Sequence, residues 1–575
     1  MNKNKYEEKN KGEIEKKKSK IGIIIAIIVI LLVLIAGAIG LHYVIKHNYT
    51  VKYLNQTNLI INNSNVTESL KKHIYYDNEN GVIYISKPDI YNFFDNTIIY
   101  DEKNNQVVTS SSTKIASLPI DSTQIQVNSQ NKTIKAGAII QDEVAYVPIS
   151  ELEEVYNIKV TNVANQARVY IDSLDREQKT ATLKEDSSIK YKPTIISATL
   201  TKAKKSETLT IANRSDYPVP NGWTRVRTDD GTLGYIQTNK LNEFKTIREA
   251  TQEKAKVEGT INLVWDYYSE YVSAPDRTGK INGTNVVSPS FFYMSKYSTT
   301  NVYENVGEKG KTYVNWAHQN GYKIWPMFTN SNMTETSKML SDYKSRETVI
   351  NQLVNYITQY NLDGINIDFE GMYETDKDNF SRFLIELRPR LNVLGAVLSV
   401  DVTAPDGAPE WSLCYDRYTI GKTVDYVMFM AYDQYGVSST KAGTTAGYNW
   451  IEANVKKFLG QEEVKAEKIV LGIPFYTRVW KESNGKLTSD VVNIGNVDKI
   501  IPSDATKTWN EDLQQYYVEY TKNGATYKIW VEDEKSIESK LNLISKYNLA
   551  GAAFWEYDRA TSSIWNLISS KLQTK

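Results

Sequence analysis

The sequence predicts a multidomain chain that ends in an α/β (β/α)8 TIM barrel, preceded by one transmembrane helix and small β-rich modules. Three observations predict it. Between residues 246 and 575, eight short, nearly all-apolar runs are separated by helix-compatible lengths, as expected of parallel strands covered on both faces. Ahead of them lie stretches rich in Asn, Thr and Ser, with the apolar–polar alternation of half-buried strands. At the amino end, Ile21 to Leu41 is a run of 21 residues without a charge. The full length of 575 residues exceeds one ordinary domain of roughly 100–200 residues, so several units are expected.

Composition excludes several function classes. Lys plus Arg number 68 and Asp plus Glu number 68, so no global field draws the chain to nucleic acid. A single cysteine, Cys414, forms neither an intrachain disulfide nor a cysteine-rich zinc site. The four histidines, His42, His47, His73 and His318, offer little for metal or triad chemistry, and no cofactor or metal is expected. The 11 Trp, 40 Tyr and 13 Phe are a large aromatic set. Tyr and Trp join an apolar body to a polar tip, which suits both cores and sugar faces.

Residues 1–20 form a basic tail of eight lysines and four glutamates, with Lys16, Lys17, Lys18 and Lys20 against the apolar run. A helix of 21 residues rises about 30 Å, the thickness of a bilayer core. The run at 21–41 is therefore expected to be a retained membrane anchor, with the tail cytoplasmic and everything after His42 outside. A cleaved signal peptide is the competing reading, because Ala36-Gly37-Ala38 looks like a cleavage site. The apolar run is longer than the ~7–15 residues such a signal uses.

Two β-rich modules are expected next, over 49–173 and 177–244. The stretch from Ala145 to Asp172, AYVPISELEEVYNIKVTNVANQARVYID, resembles the small repeat found at the amino end of copper amine oxidases. His73 is the only histidine in that module, so the resemblance carries no copper. In the second module, Asp229-Asp230-Gly231 supplies the positive-φ position of a tight hairpin. Its tail, GWTRVRTDDGTLGYIQTNKL, resembles a bacterial Src-homology-3 barrel through Trp223, Gly234 and Tyr235. That resemblance implies peptidoglycan-peptide binding. The alternative is that Trp223 fills a small core.

The expected barrel strands are 261–265, 286–292, 323–329, 364–369, 395–402, 426–431, 469–474 and 551–555. The segment 246–575 exceeds the roughly 250 residues of a plain barrel, so an α+β insertion is expected at about 481–547. It comprises a hairpin around Asn523-Gly524 and a helix over 536–546. Ten of the eleven tryptophans fall in this domain, so ring-binding potential concentrates there.

The sharpest signal is LDGINIDFEGM at 362–372. Side chains alternate along a strand, so Asn366, Asp368 and Glu370 share one face and Ile365, Ile367 and Phe369 the other. In a barrel the polar face points to the lumen, where acids are costly to bury without a use. Glu370 lies nearest the carboxyl end of the strand, where barrel active sites form. Close carboxylates push their pKa values apart, leaving one protonated as a general acid. Glu370 is the better donor and Asp368 the better orienter. A structural polar layer, or a magnesium site made of these carboxylates, is the alternative.

DGINIDFE resembles the fourth-strand signature of glycoside hydrolase family 18, whose usual form is Asp-Gly-x-Asp-x-Asp-x-Glu. Further matches follow in order: MAYD at 430–433, GIPFYTRVW at 472–480 and GAAFWEYD at 551–558. The resemblance covers about 246–575. It implies a substrate-assisted, retaining mechanism. Glu370 would protonate the leaving oxygen and then deprotonate water, Asp368 would hold the sugar's attacking acetamido group, and Tyr432 would bond its carbonyl. Trp555 would floor the reacting sugar, Asp433 would contact a hydroxyl, and Tyr476 and Arg478 would line the cleft.

Two departures stand out. Asn366 replaces the first Asp of the Asp-x-Asp-x-Glu triplet, so Asp368 is expected to lack a proton-sharing neighbour and to have a lower pKa than in a typical chitinase. The third strand ends in PMFTN instead of Ser-x-Gly-Gly. Both resemble the spore cortex-lytic subgroup, whose members are active. The expected function is hydrolysis of N-acetylglucosamine linkages in peptidoglycan by a single-pass membrane protein with an extracytoplasmic catalytic domain. The alternatives are a chitinase or chitooligosaccharide hydrolase and a non-catalytic wall-binding factor. The partners implied are a polysaccharide and the membrane, with no nucleic acid.

Overall fold

The computed structural model describes residues 3–47, 53–212, 219–251, 257–330 and 332–572. The first residues of the module expected from Tyr49, and the last of the domain expected to reach Lys575, lie outside these. Contacts divide the chain into two compact units, Met1–Ile85 with Ile149–Gln252, and Ser86–Pro148 with Glu253–Lys575.

The first unit begins with a helix over Lys3–His47. Its portion Lys9–Tyr43 is long and apolar enough to cross a membrane and is not buried against the protein. Asn58–Ile61 pairs in parallel with Arg168–Ser173, which also forms an antiparallel ladder with Ile158–Val163. Seven strands between Gln178 and Arg248 form an antiparallel sheet around Ala181, Leu183, Ile189, Leu209 and Val226. The hairpin joining Trp223–Arg227 to Leu233–Gln237 turns through Gly231 at φ +80°, where a Cβ would also meet the Tyr170 ring at 2.7 Å. Glycine serves both demands. Trp223 is only half-buried and lines a groove of about 240 Å³ with Ser188, Lys190 and Ile195.

The second unit holds the eight-stranded ring. Its strands are β1 (Ile261–Asp266), β2 (Val286–Pro289, resuming at Phe292–Met294), β3 (Lys323–Ile324, resuming at Met327–Thr329) and β4 (Gly364–Asp368). They continue with β5 (Val397–Val402), β6 (Tyr426–Met430), β7 (Ile469–Pro474) and β8 (Gly551–Trp555). Each pairs in parallel with the next, and β8 pairs with β1 to close the ring. The breaks in β2 and β3 interrupt runs that read as continuous in the sequence. Pro326 has no N–H to donate at the break in β3.

Alternation sorts the side chains into two layers. Leu263, Trp265, Val286, Trp325, Met327, Met428 and Val470 fill the lumen. Ile365, Ile367 and Phe369 face the surrounding helices with Leu398, Val400 and Phe429. Two outer helices, Tyr343–Gln359 and Lys377–Val393, are tied by Arg346, which donates to both Glu386 oxygens at 2.8 Å.

The insertion after β7 is a five-stranded sheet whose first strand begins at Tyr476, earlier than the expected Lys481. Its hairpin turns at Asn523 and Gly524, both at positive φ. The helix expected within the insertion spans Glu534–Tyr547 and belongs to the ring instead, because Ile537, Leu541 and Ile544 join the core around the strands.

Residues 86–148 pack on the same outer helices. Val108 and Ile115 bury against Tyr343, Arg390 donates to Ser129 Oγ at 2.9 Å, and Asn392 donates to the Ser112 carbonyl at 2.7 Å. Lys103 pairs with Asp342 at 2.6 Å.

Candidate active site

The site is built on the carboxyl end of β4. Gly364 starts that strand where a Cβ would lie 2.7 Å from the Val397 carbonyl and 2.8 Å from the Trp325 ring. Its absence lets β4 and β5 close on one another. At the other end, Asn330 holds the backbone of Glu370 in both directions. Its Oδ1 accepts from the Glu370 N–H at 2.8 Å and its Nδ2 donates to the Glu370 carbonyl at 2.9 Å. Tyr415 Oη donates to the Phe369 carbonyl at 2.7 Å. The strand end that carries the two acids is thus held from both neighbouring loops.

Asp368 and Glu370 line a cleft of about 760 Å³ together with Asp401 of β5. Below them a chain of hydrogen bonds crosses the lumen. Trp265 Nε1 donates to Asn366 Oδ1 at 2.9 Å, and Asn366 Nδ2 donates to Asp401 Oδ1 at 2.8 Å. Asn366 is fully buried and Asp401 is 2% exposed. Poor solvation, reinforced by the charges of Asp368 and Asp433, pushes the Glu370 pKa up to about 8. Burial, then the charge of Asp401, raises Asp368 well above the ordinary carboxylate range. The acid that the fourth-strand triplet lacks has a counterpart in space, because Asp401 of the next strand adds to the burial that raises Asp368. Among the described residues Asp368 Oδ1 has no hydrogen-bond partner.

Aromatic side chains form the floor. Trp555 lies 5.9 Å from Trp265, 5.6 Å from Tyr267 and 6.5 Å from Tyr432, centroid to centroid. Burial, first of all, keeps the Tyr432 phenol protonated by raising its pKa well above the usual value, which leaves it a donor. Tyr476 Oη donates to Asp433 Oδ1 at 2.8 Å, and Arg478 approaches the same oxygen at 3.8 Å.

Of the residues singled out in the sequence, Glu370, Asp368, Tyr432, Asp433, Tyr476 and Trp555 line one cleft. Asn366 lies beneath it and touches Asp401 and Trp265. Arg478 is buried behind Asp433, where it also donates to Ser489 Oγ at 3.1 Å. Sequence reading missed Asp401, Asn330, and the cleft aromatics Tyr267, Tyr271, Tyr293 and Trp411. Asp401 had a signal. In LSVDV, Ser399 and Asp401 alternate with Leu398, Val400 and Val402, the same pattern as in β4. Tyr267, Tyr271 and Trp411 sit on loops, where no period marks them, and Tyr293 lies on the short resumed part of β2.

The arrangement offers a protonated acid at the cleft rim, an acceptor beside it with a free oxygen, a phenolic donor and a flat indole. These suit acid-assisted cleavage of a glycosidic bond. Among the described residues no group of three or more His, Cys, Asp or Glu is placed to hold a metal ion.

The sequence profile described as "Glycosyl hydrolases family 18" matches residues 263–560, and that of the copper amine oxidase N-terminal domain matches 60–171. The uncharacterized glycosylase YvbX of Bacillus subtilis (strain 168) is 26% identical over 308 residues, covering 51% of this chain and 88% of the relative. The cortical fragment-lytic enzyme of the same strain is 24% identical over 240 residues, 40% of this chain; the chain spans 55% of that enzyme's length. The solved structure of the Bacillus cereus spore cortex-lytic enzyme SleL aligns with a TM-score of 0.48 at 18% identity, over 58% of this chain and 78% of that one.

Proposed function

The chain belongs to the glycosyl hydrolases of family 18, and from that premise we propose that it cleaves β-linked N-acetylglucosamine in peptidoglycan, outside the cytoplasm, while anchored in the membrane by its amino-terminal helix. The observation that carries the reading is the pairing of Glu370, with a pKa near 8, and Asp368, with an unpartnered oxygen, on one cleft wall. Glu370 holds its proton at neutral pH and delivers it to the leaving glycosidic oxygen. The substrate's 2-acetamido oxygen attacks the anomeric carbon, and Asp368 accepts from the acetamido N–H. Tyr432 donates to the acetamido oxygen, and Trp555 supports the sugar ring. Glu370, now ionised, takes a proton from the incoming water, which restores both enzyme and anomeric configuration. Asp433 orients Tyr476 and holds a sugar hydroxyl, Arg478 braces Asp433, and Asn366 aligns the floor.

Peptidoglycan is supported by the long apolar amino-terminal helix, which as an anchor would keep the catalytic domain at the outer side of the membrane, and by the relative named for lysis of cortical fragments. The test is digestion of purified peptidoglycan, and separately of chitin oligosaccharides, by the detergent-solubilised full chain, with products read by mass and reducing end. Muropeptides with a new N-acetylglucosamine reducing end are expected, and Glu370→Gln should lower the rate by about 10³-fold or more. Cleavage of chitin alone would move the substrate to chitooligosaccharides. Binding without cleavage of either would make the protein a wall-binding factor.

A further inference from the structure

Asp368 and Asp401 stand on adjacent parallel strands. The register sets Asn366 beside Ser399 and Ile367 beside Val400, so one step further sets Asp368 beside Asp401, at the strand spacing of roughly 4.8 Å. Both line the same cleft. The orientation of Asn366 follows from its neighbours. An indole N–H only donates, so Trp265 requires the amide oxygen and turns the amide nitrogen toward Asp401. Asp401 therefore has a neutral donor on one oxygen and a second acid beside it on the adjacent strand. The titratable groups around the two are Glu370 on β4, Tyr432 and Asp433 after β6, and Tyr415 after β5. All are acids. Two carboxylates so close, among acids and with little water, do not both ionise near neutral pH.

We infer that Asp401 is a positioning carboxylate that shares one proton with Asp368, doing from β5 what a carboxylate at position 366 would do from β4. The inference rests on the reading of Glu370 and Asp368 given above and adds a residue to it. In the empty cleft the pair holds one proton. As the acetamido oxygen bonds to the anomeric carbon and the bond to the leaving oxygen breaks, positive charge develops at the acetamido nitrogen. The shared proton passes to Asp401, and Asp368 meets that charge as an anion. When water opens the cyclic intermediate, the proton returns. The pair neither gains nor loses a proton over the cycle, and the proton of Glu370 travels separately to the leaving group.

The test compares the full chain with Asp401→Asn and with the double variant Asn366→Asp/Asp401→Asn. Asp401→Asn leaves Asp368 without a second carboxylate to share the proton, so the proton that the pair retains at pH 7 should be lost from the free protein. The kcat at neutral pH should fall roughly tenfold or more with little change in KM. The double variant, which restores a carboxylate beside Asp368, should regain part of the kcat. A difference infrared spectrum of the free full chain against Asp401→Asn at pH 7 should contain one protonated-carboxyl band from the full chain. An unchanged kcat, or no difference band, overturns the inference. Glu370→Gln separates it from the parent reading. If that variant keeps full activity, the assigned acid is wrong, while the infrared comparison still decides the pair.

Discussion

Glu370 owes its retained proton to its surroundings. Poor solvation contributes most, and the charges of Asp368 and Asp433 add to it, giving a pKa of about 8. A general acid must be protonated, so kcat/KM is expected to fall as pH rises through about 8. Asp433→Asn removes one of the two negative neighbours, so the Glu370 pKa should drop and the alkaline limb should move to lower pH. A pH–rate profile of the variant checks this, and a limb that stays in place would deny Asp433 its electrostatic part. The motif LDGINIDFEGM made Glu370 and Asp368 legible. The clamp on the Glu370 backbone was not, since nothing in PMFTN tells that Asn330 faces a peptide 40 residues further on.

At the scale of strands and helices, the ring depends on close approaches that only glycine allows. A Cβ at Gly551, the first residue of β8, would run into the backbone of Ile261 on β1. Gly551→Ala is therefore expected to destabilise the protein by about 1–3 kcal/mol or more, measured by denaturant unfolding. Activity should fall with it, because β8 carries Trp555. The helices outside β3 to β5 rely on a buried ion pair, with Arg346 5% and Glu386 2% exposed. Arg346→Met leaves Glu386 with Arg382 as its remaining cation and should cost about 3 kcal/mol. The strands were legible because eight apolar runs of strand length have few other uses. The start of the insertion was not, because Tyr476 to Trp480 follows the strand before it almost without a break and is buried just as fully.

Across the whole molecule, residues 86–148 form one compact unit with the barrel although they lie more than a hundred residues upstream of it. A fragment starting at residue 246 would expose the surface around Tyr343 that Val108 and Ile115 cover. It is expected to melt at lower temperature and to aggregate more readily than the intact chain, and light scattering during a thermal ramp reads both. The helix within Lys3–His47 should hold the full chain in the membrane fraction through an alkaline wash, and deletion of residues 21–41 should release it. Properties that repeat along the chain were readable from its order of residues: the long apolar helix at the amino end, the alternation in β4 and the count of strands. Properties that arise across it were not. Which carboxylate stands beside Asp368 depends on the register between β4 and β5, and that register is set by eight strands closing together, information that no single strand contains.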